Sequence, residues 1–254
     1  MLLVVVGMPP GVDALARAAS ATSLARADVA HRLAGTLPRV LLANADGERV
    51  AEAARALEAA GFAAVTCDPA TVPGDGERVV ARRLAFAGRT LVAHDAAGTA
   101  HELPPASISL IQRGFRAVTH TQKDVIREWS PAVAATLLTG VPVIRPKETV
   151  RTRTREERDA FALVHRNDGS PDLVIYERRL DYRFLGAAMT PSSRANLDLV
   201  VRRIGEHAPA APVDDRVGRP GFVSGLPATS ADPVDLGLLL VLLAHLRGRT
   251  PYRG

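Results

Sequence analysis

Between Cys67 and Val79 the spacing of apolar residues changes period, and that change limits what the chain can fold into. Before it, short apolar runs alternate with segments whose apolar residues recur at helical spacing. After it, apolar residues recur at every second position. The first pattern marks helices with one buried face, the second half-buried strands. The seam, "DPATVPGDGE" over 68–77, holds two prolines, two glycines and three acids, and reads as a linker.

In the first 68 residues "LLVVVG", "PRVLLA" and "FAAVTC" are expected strands. Between them "GVDALARAASAT" spaces Val12, Leu15, Ala18 and Ala19 as a helix does, and "LARADVAHRLAG" places Ala25, Val29 and Leu33 on one face. "DGERVAEAARALEAAG" turns Val50, Ala53, Ala54 and Leu57 inward and ends at Gly61. The order is βααβαβ. In that order, and in the phrase "AEAARALEAAGFAAVTC", residues 1–68 resemble the C-terminal domain of the bacterial ribosomal stalk protein, a fold related to that of the protease adaptor ClpS. The resemblance implies a recognition domain. The stalk domain recruits factors through a lysine on its first helix; here that helix carries Arg17 and no lysine, so no binding residue is carried over.

From 78 to 210 the expected class is β-rich. "VVARRLAF" alternates, and "LVAHDAAGTAHEL" reads as a hairpin turning at Asp95–Gly98. "SISLIQRGFRAV" and "FALVH" are strand-like. "DLVIYERRLDYRFLG" reads as one long strand with Val174, Tyr176, Leu180, Tyr182 and Phe184 on a shared face. "SSRANLDLVVRRIGEH" is a capped helix with Leu197, Val200, Val201 and Ile204 inward. Strands followed by one amphipathic helix resemble a pleckstrin-homology-like domain. Residues 119–159 interrupt the pattern as an insertion, within which "SPAVAATLLTG" reads as a short helix with Ser130 at the N-cap, Pro131 at N1 and Gly140 as its stop. Residues 211–254 form a loop and a helix packed on the second domain. The helix, "VDLGLLLVLLAHL", would span about 20 Å, short of the roughly 30 Å of a hydrocarbon core, so it reads as buried. The expected class is therefore α+β, with a 1–68 domain, a 69–77 linker and a 78–210 domain.

Charge narrows function less than it first suggests. The chain carries 32 Lys/Arg against 27 Asp/Glu, yet only Lys123 and Lys147 are lysine. An arginine skew beside so much alanine reads as coding bias as much as function. Residues 1–68 are nearly neutral, with six basic against seven acidic residues. The densest basic stretch, "RPKETVRTRTREERD" over 145–159, carries six basic and four acidic residues. Its Thr/Arg alternation puts Arg151, Arg153 and Arg155 on one face of an extended chain, which could follow a phosphate backbone or protect a sheet edge. No aromatic lies near enough in sequence to stack on a base.

Catalytic motifs are missing. There is no phosphate-cradling GxxxxGK[ST] or GxGxxG, and no HExxH. Ser224 in "GFVSG" is not a nucleophile elbow. The single Cys67 ends a strand pattern, where a packed thiol is expected, and a lone cysteine suits a reducing compartment. Asp214 and Asp215 are adjacent on a loop and point apart. His165 and His245 sit inside packed segments. The one metal arrangement to weigh is His94 facing His101 across the hairpin, with Asp95 and Glu102 beside them.

The expectation is a cytoplasmic, non-enzymatic protein-interaction or adaptor protein with no cofactor, and with Arg151, Arg153 and Arg155 as its candidate contact residues. Its rivals are a nucleic-acid or ribosome-associated protein using Arg82, Arg83, Arg113, Arg116 and the arginines of 145–158, and an enzyme whose site no motif reveals.

Overall fold

The structure is a computed structural model that describes residues 1–88, 90–131 and 144–249. It is α+β, and the N-terminal order is βααβαβ: β1 (Leu2–Gly7), α1 (Ala14–Thr22), α2 (Arg26–Arg32), β2 (Arg39–Ala43), α3 (Gly47–Ala59) and β3 (Ala63–Cys67). β1 is the central strand and pairs antiparallel with both β2 and β3. Alternation along β1 sends Leu3 and Val5 to one side and Leu2 and Val4 to the other. Leu3 and Val5 meet Ala18, Val29, Val50 and Leu57 from the three helices. Val12, expected on the inner face of α1, instead precedes the helix and is 87% exposed; the buried positions are Ala14, Ala18 and Thr22.

The ends of α3 show how sequence fixes local structure. The Asp46 carboxylate accepts from the amides of Glu48 and Arg49 at 3.0 and 3.2 Å, satisfying two otherwise orphaned donors. At the other end Gly61 takes φ +87, and the Phe62 amide closes back on the Leu57 carbonyl at 3.0 Å. That closure needs a residue without a Cβ cost at φ > 0, and glycine supplies it.

The second part holds two sheets. One is a meander of β5 (Arg83–Ala87), β6 (Thr90–His94) and β7 (Ala100–Leu103). The other has the order β11-β8-β9-β10-β4, built from β4 (Val79–Val80), β8 (Ile108–Pro131), β9 (Ile144–Arg166), β10 (Leu173–Tyr176) and β11 (Val213–Asp214). The helix α4 (Ser193–His207) buries Leu197, Val200, Val201 and Ile204 in one cluster with Leu84, Leu91, Leu103, Ile111 and Ile175, so the two sheets and the helix share a core.

The long strand expected over 172–184 is wrong. β10 stops at Tyr176; a turn follows, in which the amides of Arg179 and Leu180 reach back to the Tyr176 carbonyl. A 3₁₀ segment then runs from Tyr182 to Ala188, started by the Asp181 carboxylate on the Arg183 amide at 3.1 Å. Leu180, Tyr182 and Leu185 still reach the core, so the apolar spacing reported burial correctly and conformation wrongly. The helix expected from Ser130 is corrected at its start, since Ser130 and Pro131 close β8. Its remainder lies outside the described residues.

The last helix, α5 (Pro233–Arg249), begins as expected, with Asp232 accepting from the amides of Val234 and Asp235 at 2.9 and 3.1 Å. It packs on the five-stranded sheet through Leu238 and Val241, which meet Phe161, Leu163, Val174 and Tyr176. Its Leu236 and Leu240 pack on Leu2, Val4 and Cys67 of the N-terminal sheet. A helix apolar on all sides must be covered on all sides, and two sheets provide that cover.

The chain separates into two compact units, Met1–Phe115 with Ala160–Gly254, and Arg116–Asp159. β8 and β9 run through both. The first unit contains every apolar cluster described above. In the second, the described backbone is extended: β8 to Pro131 and β9 from Ile144.

Candidate functional site

Buried charge marks one candidate. Arg78 follows the expected linker, which forms two 3₁₀ turns at Pro69–Thr71 and Asp75–Glu77. Its side chain is 5% exposed, and it donates to Asp235 of α5 at 2.6 Å and to the Pro73 carbonyl at 2.8 Å. Asp75 lies 3.4 Å from the same guanidinium and accepts a short hydrogen bond from the Tyr176 hydroxyl. Turn, strand β10 and helix α5 are thus tied by charge at one point.

Beside it, His165 of β9 donates from Nδ1 to Asp172 at 2.6 Å, and Asp172 also accepts the Arg166 amide at 2.9 Å. His165 Nε2 is buried with no described partner. A carboxylate holding a histidine this way is half of a nucleophile-activating arrangement. The other half is missing from the space it faces. That cavity, of ≈ 30 Å³, is lined by Pro73, Arg78, Asp235 and three leucines of α5, with no hydroxyl or thiol among them. It has room for about one water and no substrate. His165 is hydrogen-bonded inside a packed element, as its sequence position leads one to expect.

Cys67 is 7% exposed and sits with Leu2, Leu236 and Leu240. Burial pushes its thiol up from 9.0 to about 11, against a smaller opposing pull from the N-terminal ammonium. Almost none is thiolate at neutral pH, so it is a poor nucleophile. We expect a thiol-alkylating reagent near pH 8 to label the folded protein far more slowly than the urea-unfolded chain. Equal rates would show the thiol to be accessible. The same shift carries a sign: from pH 9.0 to about 11 the unfolded thiol ionises while the folded one does not, so this contribution to stability fades as pH rises through that window.

The His94–His101 pair weighed as a metal arrangement does not form. In the β6–β7 register His94 stands opposite Ala100 and His101 opposite Ala93, so an odd offset sends the two imidazoles to opposite faces. His101 instead meets Asp95 at 3.1 Å. Asp95 also accepts the amides of Ala97 and Thr99, and these hydrogen bonds, that from His101 first, hold its carboxyl below the usual range. Among the described residues no group of three or more His, Cys, Asp or Glu could hold a metal ion.

Asp214 and Asp215 serve different arginines. Asp214 takes Arg216, with 2.6 Å to its Nη2, and Asp215 takes Arg219 at 2.8 Å. Burial raises the Asp214 pKa, but the Arg216 hydrogen bonds outweigh it and the carboxyl stays below its ordinary value. Arg216 also donates to the Leu37 carbonyl at 2.9 Å, which ties this loop to the start of β2. Ser224 lies exposed after Phe222 in the connection to α5, and His245 is half-buried on α5. Of the basic residues weighed for nucleic acid, Arg83 is on the meander and Arg113 of β8 is held by Asp198 of α4.

The backbone of Arg151, Arg153 and Arg155 lies in β9, inside the second unit. β11 meets β8 at Ile111 and Gln112, and β10 meets β9 at Phe161–Val164. Residues 116–159 carry nine Lys/Arg against six Asp/Glu, and hold both lysines and the only tryptophan of the chain.

No family model, curated protein or solved structure matches the chain. Among the described residues no helix is long and apolar enough to cross a membrane. The Arg78–Asp235 pair escapes sequence reasoning because its partners are 157 residues apart and neither sits in a motif.

Proposed function

We propose that the chain is a non-catalytic recognition protein that engages a protein partner through residues 116–159. The observation that carries this is an arginine-rich ribbon: the neighbouring strands β8 and β9 run on as strand through 116–131 and 144–159, within a compact unit of their own. Long strands can recognise a partner by strand addition, through backbone donors and acceptors offered to an incoming strand. Arg151, Arg153 and Arg155 alternate along β9 and would select an acidic segment. The resemblances to the stalk domain, to ClpS and to a pleckstrin-homology-like domain are to folds used in recognition, and point the same way. A single cysteine suits work in a reducing compartment such as the cytoplasm.

A nucleic acid is the second reading, favoured by the net charge of +3 on these 44 residues. One experiment separates the two. The full chain and its Arg151→Ser/Arg153→Ser/Arg155→Ser variant are used to capture partners from native cells, with and without nuclease. Nuclease-resistant capture of one protein by the wild type, weakened in a variant of unchanged stability, supports the proposal. Capture that vanishes with nuclease assigns the segment to nucleic acid.

A further inference from the structure

A second surface, independent of the ribbon, is arranged around Arg39. At the edge of the N-terminal sheet the end of α2 and the start of β2 face residues 221–227 across a cleft of ≈ 590 Å³. That is the size of a small-molecule site. Its lining holds His31, Arg32 and Arg39 and no acidic residue. Arg32 is partly engaged, donating to the Leu41 carbonyl at 2.8 Å.

Arg39 is the unusual member. Its side chain makes no described hydrogen bond or ion pair, and its Nε is buried without a partner. The one contact described for its charge is the Phe222 ring, 5.8 Å below the guanidinium carbon. Two glycines leave it room. A Cβ on Gly225 would stand 2.4 Å from Nη1, and one on Gly35 would stand 2.7 Å from Nη2. The guanidinium therefore lies in a slot that any larger residue would close. A charge drawn from water normally has a partner of opposite sign, because desolvation otherwise goes uncompensated. Arg78, Arg166 and Arg216 each have a carboxylate partner; none is described for Arg39.

We propose that the cleft binds a small phosphorylated molecule, with the phosphate on Arg39. The planar fork of arginine matches a phosphate with two parallel donors, and Arg32 and His31 line the same wall. The cleft exceeds what a phosphate alone fills. Val40, Leu226 and Pro227 provide apolar cover for an organic body, and Ser224 offers a hydroxyl to it. The assignment goes beyond the ribbon's role and stands or falls without it.

Calorimetric titration of the full-length protein tests this with three probes: inorganic phosphate, glucose 6-phosphate and glucose. The two phosphates bind, at roughly millimolar affinity or better, and glucose does not. Arg39→Met keeps the aliphatic stem but loses the fork, and weakens phosphate binding by about tenfold or more. Gly225→Ala has an ordinary backbone conformation and displaces only the guanidinium, so it weakens binding in the same direction even if Arg39→Met fails to fold. Wild-type protein that binds neither phosphate at millimolar concentration overturns the proposal. So does a folded Arg39→Met or Gly225→Ala variant that binds as the wild type does.

Discussion

Replacing Arg78 or Asp235 with alanine should cost about 3–5 kcal/mol of folding stability, read as a lowered urea midpoint. The two side chains are 5% and 7% exposed and 2.6 Å apart. Removing Asp235 leaves a buried guanidinium whose nearest carboxylate is Asp75 at 3.4 Å. The loss is large because the surviving charge must stay buried or pull the turn away from α5. An apolar pair reverses the argument. Arg78→Met with Asp235→Leu removes both desolvation costs and should recover most of the loss. A single alanine variant as stable as the wild type would mean that water reaches the pair.

Leu240→Ala should cost about 2–5 kcal/mol. Leu240 is fully buried against Leu2, Val4 and Cys67, so its loss would leave a cavity between helix and sheet. Leu238→Ala should fall in the same range on the opposite side of the helix, where it meets the five-stranded sheet. Leu246, 48% exposed near the end of α5, is the control, and its alanine variant should stay within about 0.5 kcal/mol of wild type. Chemical denaturation of the three variants decides it. A small effect at both Leu238 and Leu240 would show that α5 is not the layer between two sheets.

How much of this was legible in sequence depended on what each pattern reports. Burial was legible almost throughout. The inward residues of α3 and α4, the cap at Asp232 and the turn at Gly98 all follow from local rules, and the structure places them as expected. Conformation failed where burial and period part company. Val174 through Phe184 alternate like a strand, yet the chain turns after Tyr176, and Arg178 out of pattern was the only local sign. The opposite failure concerns 119–159. Alternation marks a strand that buries one face in a core, and 119–131 and 144–159 lack a sustained alternation of apolar residues in sequence. The segment therefore reads in sequence as an interruption, although the described backbone is strand to Pro131 and again from Ile144. Sites were the least legible part. Arg39 follows a proline at the start of an ordinary strand, and the glycines that make room for it stand at 35 and 225. The hairpin histidines show the converse: near in sequence, they are separated by a one-residue register rule.

The central claim is that residues 116–159 recognise a partner while the rest of the chain folds without them. Residues 116–159 form a compact unit of their own, separate from the unit of Met1–Phe115 with Ala160–Gly254. The most direct measurement joins β8 to β9 through a short glycine-rich turn in place of residues 117–158, and compares unfolding midpoint and partner capture with the full chain. The account predicts a cooperatively folded protein of nearly unchanged midpoint that captures no partner. A shortened chain that keeps its partner would contradict it.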